Sequence, residues 1–540
     1  MKLLMPRVLT TTYYLREFAI LVLAMTTVMF TACSSSDDNP AESDPSIQTD
    51  VSEKADYAIL FYGHGGGNLD YDILNNIKQF YAADSASYDK VKIAVQYKFS
   101  SQEEFEQQLD YAPDDCDDPQ EKAEVEEYLE EMKSWIAKWQ NRCRFTFRFT
   151  VDPKKTVEQQ MVADNVHGCN NDHIANADSL LAFIDWAAKA CPAKHYVLLL
   201  SDHGAGYLPN EDLPYTPSNT TRSFLIDYNK SEMLTVNALR YAIANASIKP
   251  QVVYFDACLM NCFEYLFELK DYTDYIIASS FLVPGWGGNY TVLTNNLAGC
   301  NEDTESALKT YNKACVEQWD KNFGDETVES FTDMTVVRTR GLDAFGQKVR
   351  KFTDILLDAY QSSDERRSAI DAATANAMKI YRDMPLYDLF IYGIMLAAKE
   401  PELEAPYFEM KKCYDDECMV AHQTCAYLRA QGINGSVLLG WEGQYEEINW
   451  KYGKEGWIFS DAVVFTPDGK AYIYSEEAEE EADEEKRWDS TFADTYEQTA
   501  FDKATGWSRW IRANKQRPAT MSVFTEGYNA NEPRKKPRTK

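Results

Sequence analysis

At 540 residues the chain exceeds what one ordinary hydrophobic core fills, so more than one folded region is expected. Its formal net charge of −32 argues against a nucleic-acid partner, because a phosphate backbone demands a surface of Lys and Arg. Hydrophobic residues make up 45% of the sequence, as in globular proteins, so most of the chain should fold.

The first residues read as targeting and not as structure. Lys2, Arg7 and Arg16 form a basic start, an apolar run follows from Phe18 to Phe30, and Phe30-Thr31-Ala32-Cys33 closes it. A run of this length ending in small residues suits a signal peptide better than a membrane-spanning helix. The cysteine at the cut site resembles a bacterial lipobox, with Phe30 where Leu is commoner. That resemblance implies a signal peptide over 1–33, acylation of Cys33 and a lipid anchor. An uncleaved anchor helix is the alternative. Ser34-Ser35-Ser36-Asp37-Asp38 looks like the acidic export tag of lipoproteins exposed on the outer membrane of Gram-negative bacteria. Residues 34–54, rich in Ser, Asp and Pro, read as a solvated tether.

Past the tether, Tyr57–Tyr62 is a short apolar run ending in Gly63-His64-Gly65-Gly66-Gly67, the pattern of a buried strand leaving into a tight loop. Val91–Tyr97 predicts a second strand. Lys122–Gln140 has Val125, Leu129, Met132, Ile136 and Trp139 at helical spacing. Arg144–Val151 alternates, with Phe145, Phe147 and Phe149 on one face. Helices are predicted over Asn176–Ala190, Leu234–Ala246 and Met260–Leu269, and strands over Tyr196–Ser201, Val252–Phe255 and Tyr275–Ser279. This alternation predicts an α/β fold with a mainly parallel sheet covered on both faces. After about residue 325 the character changes to helices over Leu342–Tyr360 and Arg367–Tyr381 and an apolar stretch over Leu386–Ala398. A hairpin, Val463–Phe465 with Tyr472–Tyr474, follows, and then an acidic run from Glu476 to Glu485. A catalytic unit over 55–325 and a C-terminal α+β region over 326–540 are therefore expected.

In open parallel sheets reactive groups collect at the carboxyl ends of the strands. His203 follows one such strand within Asp202-His203-Gly204-Ala205-Gly206, and Cys258 follows another within Phe255-Asp256-Ala257-Cys258-Leu259-Met260. A thiol can attack a carbonyl, and a helix starting near Met260 would lower its pKa. An imidazole can take the thiol proton or protonate a leaving amine. The N–H groups of Gly204 and Cys258 can point at a developing oxyanion. His64 is the rival base.

These paired motifs resemble those of clostripain-like cysteine peptidases, relatives of caspases and gingipains. Asn68-Leu69-Asp70, Asn176-Ala177-Asp178, Glu264, Glu268-Leu269, Ala278-Ser279 and Pro284-Gly285 agree with it, over about Tyr57 to Tyr290. The resemblance implies a caspase-like three-layer sandwich and an endopeptidase acting on protein or peptide substrates. It implies cleavage after Arg or Lys, with Asp256 lining the pocket, and processing between His and Cys, for which Arg222 is the candidate. Calcium dependence occurs in the family, and the acidity of the chain allows it; no other cofactor is implied. The chain departs from the family in carrying Ser280-Phe281 where an acidic residue is usual.

Other readings are weaker. No Gly-x-Ser-x-Gly accompanies the His64 glycines, as an esterase would require. His167 and His173 lack ligand spacing, and Cys413, Cys418 and Cys425 lack the partner motif of a zinc site, so no metal site is expected. Of the twelve cysteines, Cys116 and Cys143 could staple one helical insertion. Trp441, Trp450, Trp457, Trp488, Trp507 and Trp510 are either core residues or stacking platforms of a catalytically inactive lipoprotein that binds peptide or glycan.

Overall fold

The run Ala58-Ile59-Leu60-Phe61-Tyr62 is apolar on both faces, and a strand of that kind has to be covered on both sides. In the computed structural model it lies in β1, Ala55–His64, inside a nine-stranded sheet. The structure describes residues 54–66, 68–107, 130–169, 172–204, 206–207, 224–227, 232–323, 332–375, 386–430, 497 and 499–514, with short strands at 438–440, 451–452, 458–459, 463–465 and 471–473. Cys33, the tether through residue 53, Cys116, Arg222, the acidic run and four of the tryptophans (441, 450, 457 and 488) fall outside the described residues.

The other strands are β2 (Val91–Lys98), β3 (Thr146–Thr150), β4 (Val166–Gly168), β5 (Ala193–Ser201), β6 (Phe224–Asp227), β7 (Glu232–Leu234), β8 (Val252–Asp256), β9 (Tyr275–Ala278), β10 (Asp333–Arg338), β11 (Leu386–Asp388) and β12 (Met419–Thr424). The large sheet runs β12-β10-β9-β8-β5-β1-β2-β3-β4. Its five inner strands, β9 to β2 in that order, are parallel. The two strands at each edge are antiparallel.

Alternation along β1 divides the core into two layers. Tyr57, Ile59 and Phe61 pack with Ile73, Leu293 and Tyr311, from the helices Asp70–Gln79, Tyr290–Gly299 and Thr304–Phe323. Ala58, Leu60 and Tyr62 face Leu180, Leu239, Leu266 and Val349, from the helices Ala177–Ala190, Val236–Asn245, Phe263–Leu269 and Leu342–Ser362. The result is the expected caspase-like three-layer sandwich. Each fully buried side chain of this size contributes about 1.5–3 kcal/mol over leaving it in water. Helix starts follow their caps. Asn176 accepts the Asp178 N–H at 2.8 Å and Thr235 accepts the Ala238 N–H at 3.0 Å, so the two helices begin one residue after these side chains.

The sheet runs across the expected boundary at 325: β10 and β12 come from beyond it and extend the sheet past β9. Phe501 joins the core against Phe263 and Phe267, and Trp507 and Trp510 join it beside Tyr392, so these two tryptophans are core residues and not stacking platforms. No disulfide joins any two of the ten described cysteines, and several, such as Cys191 and Cys315, sit singly in apolar packing; Cys116, the expected partner of Cys143, lies outside the described residues. The C-terminal hairpin is present as Val463–Phe465 with Ala471–Ile473, in a small antiparallel sheet.

Candidate active site

Strands β5 and β8 are parallel neighbours, with Ser201 directly opposite Asp256. His203 and Cys258 each lie two residues further on, so both leave the sheet at the same level. Gly204 shows how closely the two loops meet. A Cβ at that position would come within 2.2 Å of the Cys258 carbonyl oxygen and 3.0 Å of its nitrogen. Only a residue without a side chain lets the histidine loop lie on the cysteine backbone.

The His203 ring is oriented from the other side. Its Nε2 lies 2.6 Å from Asn68 Oδ1, in the loop after β1. An amide oxygen only accepts, so Nε2 carries the proton and Nδ1 is the free base of the neutral ring. Burial holds the imidazole at about 4, with nearby His64 adding to the shift. Gly66, at φ +52°, passes beneath, where a Cβ would meet Asp202 Oδ1 at 2.3 Å and His203 Cδ2 at 3.1 Å. The His203 carbonyl accepts the Leu225 N–H at 3.3 Å, which ties β6 to this loop. β6 is held in turn by Asp227, whose carboxylate is 2.5 Å from Lys98 Nζ with both side chains fully buried. His64, the rival base, is sealed in the interior, its Nδ1 2.9 Å from the Lys98 carbonyl oxygen.

Cys258 is partly exposed, and its Sγ accepts the Val283 N–H at 3.3 Å. The helix expected at Met260 starts only at Phe263, with Cys262 as its N-cap. Leu259 intervenes at φ +63°, a left-handed conformation that costs a non-glycine residue about 1–2 kcal/mol. It is held by the Leu259 N–H to Phe281 carbonyl bond at 2.9 Å and the Asn261 N–H to Ser279 carbonyl bond at 2.9 Å. The thiol therefore lacks the helix-terminus field that the sequence suggested. Burial pushes it up to about 11, against the lowering effect of the Val283 N–H. Between these two values the pair rests as neutral thiol and neutral imidazole.

The strand-exit segment 279–283, which supports Cys258, is fastened by Asp333 at the start of β10. Asp333 Oδ1 accepts the Ser279 hydroxyl at 2.7 Å and the Ser280 N–H at 2.7 Å. Sequence reasoning missed this residue; its only signal is an acid opening the short β-prone run Met334-Thr335-Val336-Val337. Asn68 was seen in a motif but given no role. Asn68→Ala is expected to lower kcat about 10- to 100-fold with little change in KM, because the ring would lose its orientation and tautomer. Loss through KM alone would show that Asn68 binds substrate instead.

Asp256, at the end of β8, is buried. Its Oδ2 accepts the Gly288 N–H at 2.9 Å and the Tyr290 hydroxyl, while its Oδ1 has no partner among the described residues. Burial raises the carboxyl to about 6. Among the described residues no group of three or more His, Cys, Asp or Glu could hold a metal ion.

The model of the clostripain family matches residues 144–487, well over half of the chain and across both motifs. The chain belongs to the clostripain family. It is thereby a cysteine peptidase by descent, and the match begins only after β1 and β2, which supply Asn68 and the inner sheet. Among solved structures, a secreted cysteine protease from Bacteroides thetaiotaomicron called iotapain is 14% identical with a TM-score of 0.50, covering 84% of this chain and 100% of that one. The fold of this clostripain-family chain is shared with it. A structure of a secreted cysteine protease from the same organism with an irreversible peptide inhibitor is 15% identical with a TM-score of 0.47, over 84% of this chain and 100% of that one. An inactive zymogen from Parabacteroides distasonis is 15% identical with a TM-score of 0.46, over 84% and 99%. No curated protein matches the chain.

Proposed function

We propose that the protein is an endopeptidase that cleaves after Arg or Lys, with Cys258 as nucleophile and His203 as its proton acceptor and donor. The observation that carries this reading is the contact of Gly204 with the Cys258 backbone at the ends of β5 and β8. As Cys258 Sγ bonds to the scissile carbonyl carbon, its proton passes to Nδ1 of His203. The Gly204 and Cys258 N–H groups take the oxyanion. Collapse breaks the C–N bond, and His203 protonates the leaving amine. Water then hydrolyses the thioester, with His203 as base. The unpartnered Asp256 Oδ1 supports a cationic guest, since a buried carboxylate oxygen without a partner is costly until one arrives. A positional-scanning peptide library with purified protein tests the assignment. Turnover dominated by Arg or Lys before the cut is expected, and an even spread across side chains would refute the basic preference.

In this reading the enzyme works at a Gram-negative cell envelope, held to the outer membrane by acylated Cys33. Cys33→Ala should stop incorporation of labelled palmitate, and equal labelling of the variant would exclude that anchor. Arg222 lies in a stretch rich in Pro, Ser, Asn and Thr and is the proposed site of self-processing. Intact mass after incubation should show a boundary after Arg222 in wild type and not in Cys258→Ala; the same boundary in both would point to another protease.

A further inference from the structure

A second carboxylate reaches the loop that follows Ser280-Phe281 from a different part of the chain. Asp72 and Asn76 lie four residues apart on the helix Asp70–Gln79, hence on one face of it. That face lies against the loop Pro284–Gly288. Asn76 Nδ2 donates to the Gly285 carbonyl at 3.3 Å. The Asp72 carboxylate sits over the Gly285 Cα: a Cβ there would meet its Oδ2 at 2.4 Å. Two residues on, a Cβ at Gly287 would meet Asn76 Nδ2 at 2.4 Å and Asp256 Oδ2 at 2.6 Å. Asp72, Asn76 and Asp256 thus converge on one strip of glycine backbone.

Resting on the basic-pocket reading above, we infer that Asp72 is a second specificity carboxylate, which with Asp256 receives the guanidinium of an arginine before the scissile bond. Two independent observations point to a cationic guest there. Asp256 Oδ1 is buried and has no hydrogen-bond partner among the described residues. Asp72, only partly exposed, has no hydrogen bond or ion pair to any described residue, and burial raises it to about 7. A place in the first turn of a helix explains why an acid is tolerated at 72. It does not explain an acid withdrawn from water against a glycine loop. A guanidinium presents five N–H donors in a plane and can bond two separated carboxylates at once, whereas an ammonium is a point charge. The pocket therefore favours Arg over Lys.

The test uses the purified full-length enzyme and three matched peptide substrates with Arg, Lys or citrulline before the cut, citrulline being a neutral isostere of arginine. Asp72→Asn should lower kcat/KM for Arg at least tenfold, and lower Lys and citrulline severalfold less. Asp72→Glu should restore part of the Arg rate. Titration of active sites with a thiol-directed peptidyl probe gives the active fraction, so misfolding cannot mimic the result. A wild-type enzyme that prefers Arg over citrulline, loses that preference in Asp256→Asn and keeps it in Asp72→Asn overturns the role of Asp72 alone. A wild-type enzyme that turns over Arg and citrulline equally overturns the basic pocket and this inference with it. An equal fall on all three substrates in Asp72→Asn makes Asp72 a structural residue and likewise overturns the assignment.

Discussion

Cys258→Ala is expected to leave no measurable peptide hydrolysis, and His203→Ala to lose about 10³-fold or more, with both variants folded. The two losses should not add in the double variant, because the groups act as a unit. The resting state makes a further demand on this pair. Burial holds the Cys258 thiol near 11 and the His203 imidazole near 4, so no thiolate–imidazolium ion pair is preformed. Alkylation of the free enzyme by iodoacetamide should therefore keep rising with pH beyond 9, where an ion-paired thiolate would already have levelled off. A plateau near pH 7 would show that the thiol is activated in the absence of substrate. Full hydrolysis by Cys258→Ala would remove the nucleophile assignment, and loss in His64→Ala with His203→Ala unaffected would reassign the base.

Asp256→Asn should weaken Arg and Lys substrates by about 1–3 kcal/mol and spare those with neutral side chains. Asparagine keeps an acceptor oxygen for the Gly288 N–H and the Tyr290 hydroxyl, so the loop that these groups hold should survive. Asp256→Ala would leave both donors unpaired and cost stability as well. The carboxyl is raised to about 6, so it is mostly protonated at pH 5 and mostly charged at pH 7.5. The ratio of basic to neutral substrate turnover should accordingly fall as pH drops through 6. Indifference of Asp256→Asn to the charge of the substrate would remove the pocket assignment.

The inner sheet was legible because β1, β5 and β8 are continuous apolar runs, and only a doubly covered strand needs such a run. His203 and Cys258 were legible because each follows its strand at the same distance, which the Ser201–Asp256 register turns into proximity. The late start of the helix after Cys258 was not legible. It follows from a left-handed Leu259, and leucine gives no local sign of a positive φ. Asp333 and Asp72 escaped for another reason. Each reaches the site from a part of the chain far from both motifs, and nothing near either one marks its destination. The continuation of the sheet past 325 was missed because β10 and β12 are six residues each, with antiparallel pairings that helical crossovers do not predict.

The buried Lys98–Asp227 pair bears on what a cut at Arg222 would leave behind. Lys98 lies before the cut and Asp227 after it, and removing one partner of such a pair strands the other charge at about 3–5 kcal/mol. The β5–β8 seam also joins the two pieces, so nicking would convert one chain into a tightly clasped heterodimer. Its refolding after denaturation would then become a bimolecular encounter, with a yield that falls on dilution, whereas the uncut chain would recover independently of concentration.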